Sequence, residues 1–241
     1  MNAKHPLLLH VAVFILTCSW VSSGHAQAEC SLIELRCIEG LTDEERTSTE
    51  PIGALYCGRA SVSYDLVAGK LRVEASGAGD LGMFGQVNAR DTYWVMGVPA
   101  GTHLTFRADL VVVGTAEASS YCNFGTSTGQ FRALIEVLGN DSDSVSGYRS
   151  CQWYVEGCLC SGDEWISTTL SVEVEHVVGE EFGLFLGTTA SATWGSATVA
   201  ADLSFSGLPQ GASIASCQGF MYEVPVQTVM SSWGSIKALY R

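Results

Sequence analysis

Apolar and polar side chains alternate with a period of two over most of this chain. The clearest run is Ser196 to Pro209, where Ala197, Val199, Ala201, Leu203 and Phe205 alternate with Thr198, Ala200, Asp202 and Ser204. Successive side chains of an extended strand point to opposite faces, so the run predicts a half-buried β-strand. Leu170, Val172 and Val174 alternate with Ser171, Glu173 and Glu175 in the same way, and Phe182, Leu184 and Leu186 follow the turn residue Gly179. Upstream, Ala60 to Leu66 and Lys70 to Ser76 read as a hairpin about Gly69. Met83 to Asn88, Asp91 to Val98, His103 to Val113, Phe131 to Leu138, Tyr148 to Glu156 and Ala212 to Phe220 read as further strands. Ala116 to Gly129 reads as a long polar loop and Gly157 to Gly162 as a Cys-rich break. The pattern predicts an all-β fold: a single antiparallel β-sandwich, jelly-roll-like, of roughly ten strands.

The two ends of the chain break this pattern. Lys4 and His5 precede the apolar run Leu7 to Leu16, and Ala26-Gln27-Ala28 has the small-residue form of a cleavage site. Residues 1–28 therefore read as a secretory signal peptide, and the mature chain is expected to be secreted or held at a cell surface. Residues 29–56, with Thr42 to Pro51 reading TDEERTSTEP, are expected as a disulfide-tied leader holding at most one short strand or turn. Residues 57–220 form the expected sandwich domain. Residues 221–241 read as a linker and a short C-terminal amphipathic helix, capped by Ser232, with Trp233, Ile236 and Tyr240 on one face. That tail is a candidate attachment handle.

Eight cysteines follow the signal peptide: Cys30, Cys37, Cys57, Cys122, Cys151, Cys158, Cys160 and Cys217. An even number in an exported chain reads as disulfides, whose connectivity spacing alone does not fix. Cys57 with Cys217 is the favoured pair, because first and last strands of a sandwich often adjoin. Cys122, Cys151, Cys158 and Cys160 are expected to staple one end. A zinc site at Cys151, Cys158 and Cys160 is the weaker alternative, since thiolates seldom persist outside a reducing compartment. No metal and no cofactor is expected. The net charge of −13 repels phosphate backbones and anionic lipid, which argues against nucleic-acid and membrane-surface roles.

Two stretches carry a resemblance. Asp91-Thr92-Tyr93-Trp94-Val95, followed by Pro99-Ala100-Gly101-Thr102-His103-Leu104-Thr105-Phe106, resembles a pattern of secreted bacterial β-sandwich proteins. Ala200 to Gly211, read AADLSFSGLPQG, is similar to a later strand of the same group, and Trp233 to Arg241 is similar to an ending of some exported bacterial proteins. The resemblance implies an exported β-sandwich without an assigned activity and supplies no catalytic residues.

Several motif matches lack the context that their chemistry needs. Gly77 to Gly82 satisfies G-x-G-x-x-G but leads into a strand, not a helix. Gly125-Thr126-Ser127-Thr128-Gly129 satisfies G-x-S-x-G with no helix after it. After the leader only His103 and His176 remain, both expected at exposed strand ends, which leaves no material for a multi-histidine site. Gly139 to Asp143 reads as a solvated turn in preference to a calcium loop. The reading favoured by these observations is a non-catalytic structural or adhesive surface module. The alternative is a carbohydrate-binding module using exposed aromatics. Trp94, Trp153, Trp165 and Trp194 are the candidate sugar platforms, and polysaccharide or a cell-surface component is the partner class. Tyr93 and Tyr154 neighbour two of these, and alternation puts one of each adjacent pair in the core. A glycoside hydrolase using Glu173 and Glu175 is the distant alternative.

Overall fold

The alternating runs close into two facing antiparallel sheets. The protein is described by a computed structural model over residues 31–77, 82–119, 126–154 and 157–224, and each regular element there is a strand. In chain order these are β1 (Ser31–Glu39), β2 (Thr42–Ser48), β3 (Ile52–Cys57), β4 (Ala60–Asp65), β5 (Lys70–Ser76), β6 (Met83–Met96), β7 (His103–Ala118) and β8 (Thr126–Val137). They continue as β9 (Ser142–Tyr154), β10 (Gly157–Gly162), β11 (Trp165–Val177), β12 (Phe182–Thr193), β13 (Gly195–Ser206), β14 (Ser213–Ser216) and β15 (Met221–Glu223). One sheet runs β10-β9-β8-β12-β6-β1-β2, with β14 alongside the end of β6 and β15 beyond it. The other runs β11-β7-β13-β5-β4-β3. Opposed to each other, β6-β12-β8-β9 and β5-β13-β7-β11 have the interleaved order of a jelly roll.

The apolar sets face inward as their spacing requires. Phe106, Ala108, Leu110 and Val112 of β7 lie against Ala197, Val199, Ala201, Leu203 and Phe205 of β13 and against Leu170, Val172 and Val174 of β11, all buried. Two strand-interior glycines serve one ring. A Cβ at Gly114 or at Gly147 would fall 2.2 Å from the ring of Phe131, so both positions must lack one for that ring to sit between the sheets. At the opposite end Tyr93, Phe106, Phe182, Phe205 and Phe220 pack with centroids 5.6–6.5 Å apart and close the core.

The structure differs from the sequence reading at several places. The expected polar loop Ala116 to Gly129 is strand at both ends, since β7 runs on to Ala118 and β8 begins at Thr126. The segment 29–56 is not a leader lying outside the sandwich: β1 pairs along β6 and buries Ile33, Leu35 and Cys37, while β3 extends the other sheet. The charges of β2 point to water on an exposed edge, where they discourage further pairing. Because Cys37 lies on the inward face of β1, it reaches Cys57 across the two sheets, Cα–Cα 6.0 Å, and the Cys57–Cys217 pairing does not form. Cys151 and Cys160 sit opposite each other on β9 and β10 and are bonded, Cα–Cα 4.0 Å, so the Cys-rich break is a strand. Cys158 and Cys217 each also take part in a disulfide. Met83–Asn88 and Asp91–Val98 merge into the single β6, because Ala89 and Asp91 keep the inward alternation through the supposed break. His176 is buried beneath Phe106 and Phe182. The expected C-terminal helix, with Trp233, Ile236 and Tyr240, lies outside the described residues, as do Cys30, Cys122 and residues 1–28.

Candidate functional site

The link between the two sheets at β10–β11 creates a recess at one end of the sandwich. Gly162 ends β10 at φ 100°, and a Cβ there would meet the carbonyl oxygen of Tyr148 at 1.9 Å, so only glycine lets β10 lie this close to β9. Asp163 and Glu164 then carry the chain across to the other sheet. The amide of Ala116 donates to the Glu164 carbonyl at 2.9 Å, and β11 begins at Trp165, opposite Thr115 of β7. Beyond this point β7 continues to Ala118 and pairs only with β13. The vacated edge is a notch of about 550 Å³ lined by Thr115, Glu117, Ala118, Arg149, Cys160, Glu164 and Trp165.

The lining joins one aromatic surface to several polar groups. Trp165 is 62% exposed on the outer face of the β11 sheet. Thr115 and Thr198 are hydrogen-bonded through their hydroxyls at 2.7 Å, and Ser196 Oγ donates to Glu117 Oε2 at 2.9 Å. Arg149 Nη2 pairs with Glu164 Oε1 at 2.5 Å, while its Nη1 donates to the Gly162 carbonyl at 3.4 Å. The Cys151–Cys160 bridge holds the strand that carries Arg149 against β10. An apolar plate flanked by fixed donors and acceptors suits the face of a sugar ring and its hydroxyls. On the same outer face, Val111 and Val113 are both 41% exposed and continue the apolar surface along β7.

Of the other candidate tryptophans, Trp94 and Trp194 do not join this lining. Trp194 lies at the same end of the sandwich, half-buried at the β12–β13 corner with φ 52°, and its carbonyl accepts from Ser119 N at 3.2 Å and Ser127 Oγ at 2.6 Å. Trp153 lies on β9 at that end, opposite Cys158, and its side chain is outside the described residues. Trp94 is at the far end, half-buried opposite Ala215 of β14, beside the buried Tyr93. Thr115, Glu117, Arg149 and Glu164 were not singled out by sequence reasoning. Their one sequence signal is that charge gathers where β7 and β10 end.

The remaining motif matches become structural. Ser127 is buried, accepts from Ser119 N at 2.7 Å and donates to Trp194 O, so it pins a strained corner and is no exposed nucleophile. Asp141 and Asp143 accept from the amides of Ser142 and Ser144, and Asp143 also receives Ser171 N at 3.1 Å, tying β9 to β11. Glu173 and Glu175 are exposed on the open outer face of β11, opposite Arg107 and Thr105, and line neither the notch nor the recess described next. That recess, about 340 Å³, lies between β1, β2 and β6, where Glu34, Arg36, Glu45, Arg46, Gln86 and Asn88, with Leu35 beside them, give a largely polar wall in which no described residue is aromatic. Among the described residues no group of His, Cys, Asp and Glu could hold a metal ion, and no helix is long and apolar enough to cross a membrane.

No family model matches this chain, and no curated protein matches it. Among solved structures it is similar to TmCBM61 in complex with beta-1,4-galactotriose, at 9% identity and a TM-score of 0.26 over 71% of this chain and 86% of that one. A likeness that low carries no argument about function, so the geometry of the notch carries it alone.

Proposed function

We propose that the protein is an exported, non-catalytic β-sandwich module that binds a glycan in the notch around Trp165. The exposed indole at a recess where Thr115, Glu117, Arg149 and Glu164 supply hydrogen-bonding groups is the observation that carries this reading. Disulfides across and within the sheets, with the export-type leader and the resemblance to secreted β-sandwich proteins, support a place outside the cell. A structural or adhesive role at the cell surface would then act through this site, by holding polysaccharide.

One open aromatic platform supports weak binding, on the order of 0.1–1 mM for a short oligosaccharide, because little of the ligand is desolvated. The test is calorimetry of the oxidised, exported protein against a glycan panel, with reducing-end release followed in parallel. Saturable binding without sugar release, weakened about tenfold or more by Trp165→Ala, is the expected result. A folded protein that binds no member of the panel would overturn the proposal, and sugar release would replace it with a hydrolase.

A further inference from the structure

The charge balance of the notch selects among glycans, given that the notch binds one as proposed above. Its one cation among the described residues is already committed: Arg149 spends Nη2 on the Glu164 carboxylate and Nη1 on the Gly162 carbonyl. Glu117 has a hydroxyl partner in Ser196 and no cationic partner among the described residues. Asp163 adds a second exposed carboxylate at the β10–β11 link. The recess is therefore net anionic, with an electron-rich indole face beside it. A uronate or sulfated sugar would bring its anion against Glu117 with no free guanidinium to receive it. A protonated amine meets both a carboxylate and the negative face of Trp165, and each attracts it.

We infer that the notch around Trp165, Glu117 and Glu164 takes a glycan bearing free, protonated amino groups, such as a deacetylated glucosamine polymer. Neutral glycans are second and uronates last. An exposed carboxylate–ammonium pair and an exposed cation–π contact together give a preference of about three- to tenfold for the amine over the same sugar N-acetylated. Salt erodes this preference, because both contacts face water.

The test compares four oligosaccharides of equal length: glucosamine, N-acetylglucosamine, glucose and galacturonic acid. Each is titrated into wild type, Trp165→Ala and Glu117→Gln, all checked for folding by circular dichroism, at low and at high salt. The expected result is tightest binding of the glucosamine oligomer. Glu117→Gln should narrow the amine-over-acetamide ratio to below about twofold, and high salt should do the same. Equal or tighter binding of the neutral or acidic oligomers overturns this inference and leaves the sugar site standing. Glucosamine binding that survives unchanged in Trp165→Ala also overturns it, as diffuse attraction to a chain of net charge −13. Failure of all four oligomers to bind removes the sugar site itself.

Discussion

Asp91→Asn should make the protein more stable at alkaline pH and less so at acid pH. Asp91 is 4% exposed on β6, at the junction with β1 and β14. Its Oδ1 accepts Thr92 N at 2.8 Å, while Oδ2 is buried without a hydrogen-bond partner. Burial pushes its carboxyl up from 3.8 to about 6, against a smaller opposing pull from the nearby Ser216, Thr92 and Gln218. Because the folded pKa lies above the unfolded one, folding is favoured while the group is protonated, and that advantage is lost as pH rises from about 4 through 6. At about 1.36 kcal/mol per unit of pKa, the rise costs about 3 kcal/mol at pH 8 relative to pH 3 to 4. Asparagine stays neutral and keeps an acceptor for Thr92 N, but sets an amide donor where Oδ2 lacked a partner, at about 1 kcal/mol. The variant should therefore gain about 2 kcal/mol at pH 8 and lose about 1 kcal/mol near pH 4, read by urea unfolding of the oxidised protein. His176 titrates the other way, its pKa lowered by burial against a smaller upward pull from Glu180, so wild-type stability falls as His176 protonates on acidification. The difference between variant and wild type cancels that contribution. Parallel curves, within about 0.5 kcal/mol over the whole range, would refute the reasoning.

Other expectations follow from the packing. Phe205→Ala removes the ring shared by Tyr93, Phe106, Phe182, Phe220 and Tyr222, and should cost about 3–5 kcal/mol in the same unfolding assay. Ser127→Ala should cost only about 1–2 kcal/mol, because Ser119 N and Trp194 O keep each other at 3.2 Å, and it should leave any trace esterase signal of the preparation unchanged. Replacing Cys37 and Cys57 together by serine opens a loop of sequence separation 20 and should cost about 3 kcal/mol, visible as a lower thermal midpoint.

Most of the sandwich was legible because β7, β11 and β13 each bury one face and wet the other. The same rule, applied without interruption, also reaches what was misread. Ile33, Leu35 and Cys37 alternate with Glu34 and Arg36 as regularly as any later strand, but the charged stretch after them drew the segment out of the domain. His176 continues the inward series Leu170, Val172 and Val174, and its polarity obscured the position. No local signal marks β2, whose side chains are nearly all exposed and which is held by its ladder to β1. Asp91 likewise continues the inward series Val87, Ala89, Tyr93 and Val95, and its charge obscured the position. The notch was legible only as Trp165. Its partners come from β7, from β9 and from the crossing between sheets, and they meet only where β11 stops short of the end of β7.

Nuclear magnetic resonance of the tryptophan indole N–H groups, during titration with the tightest-binding oligosaccharide, tests the central claim most directly. The account predicts a saturable shift of the Trp165 resonance, assigned through Trp165→Phe, with the Trp94 resonance at the far end of the sandwich unmoved. A stationary Trp165 resonance in a protein that binds the sugar would contradict it.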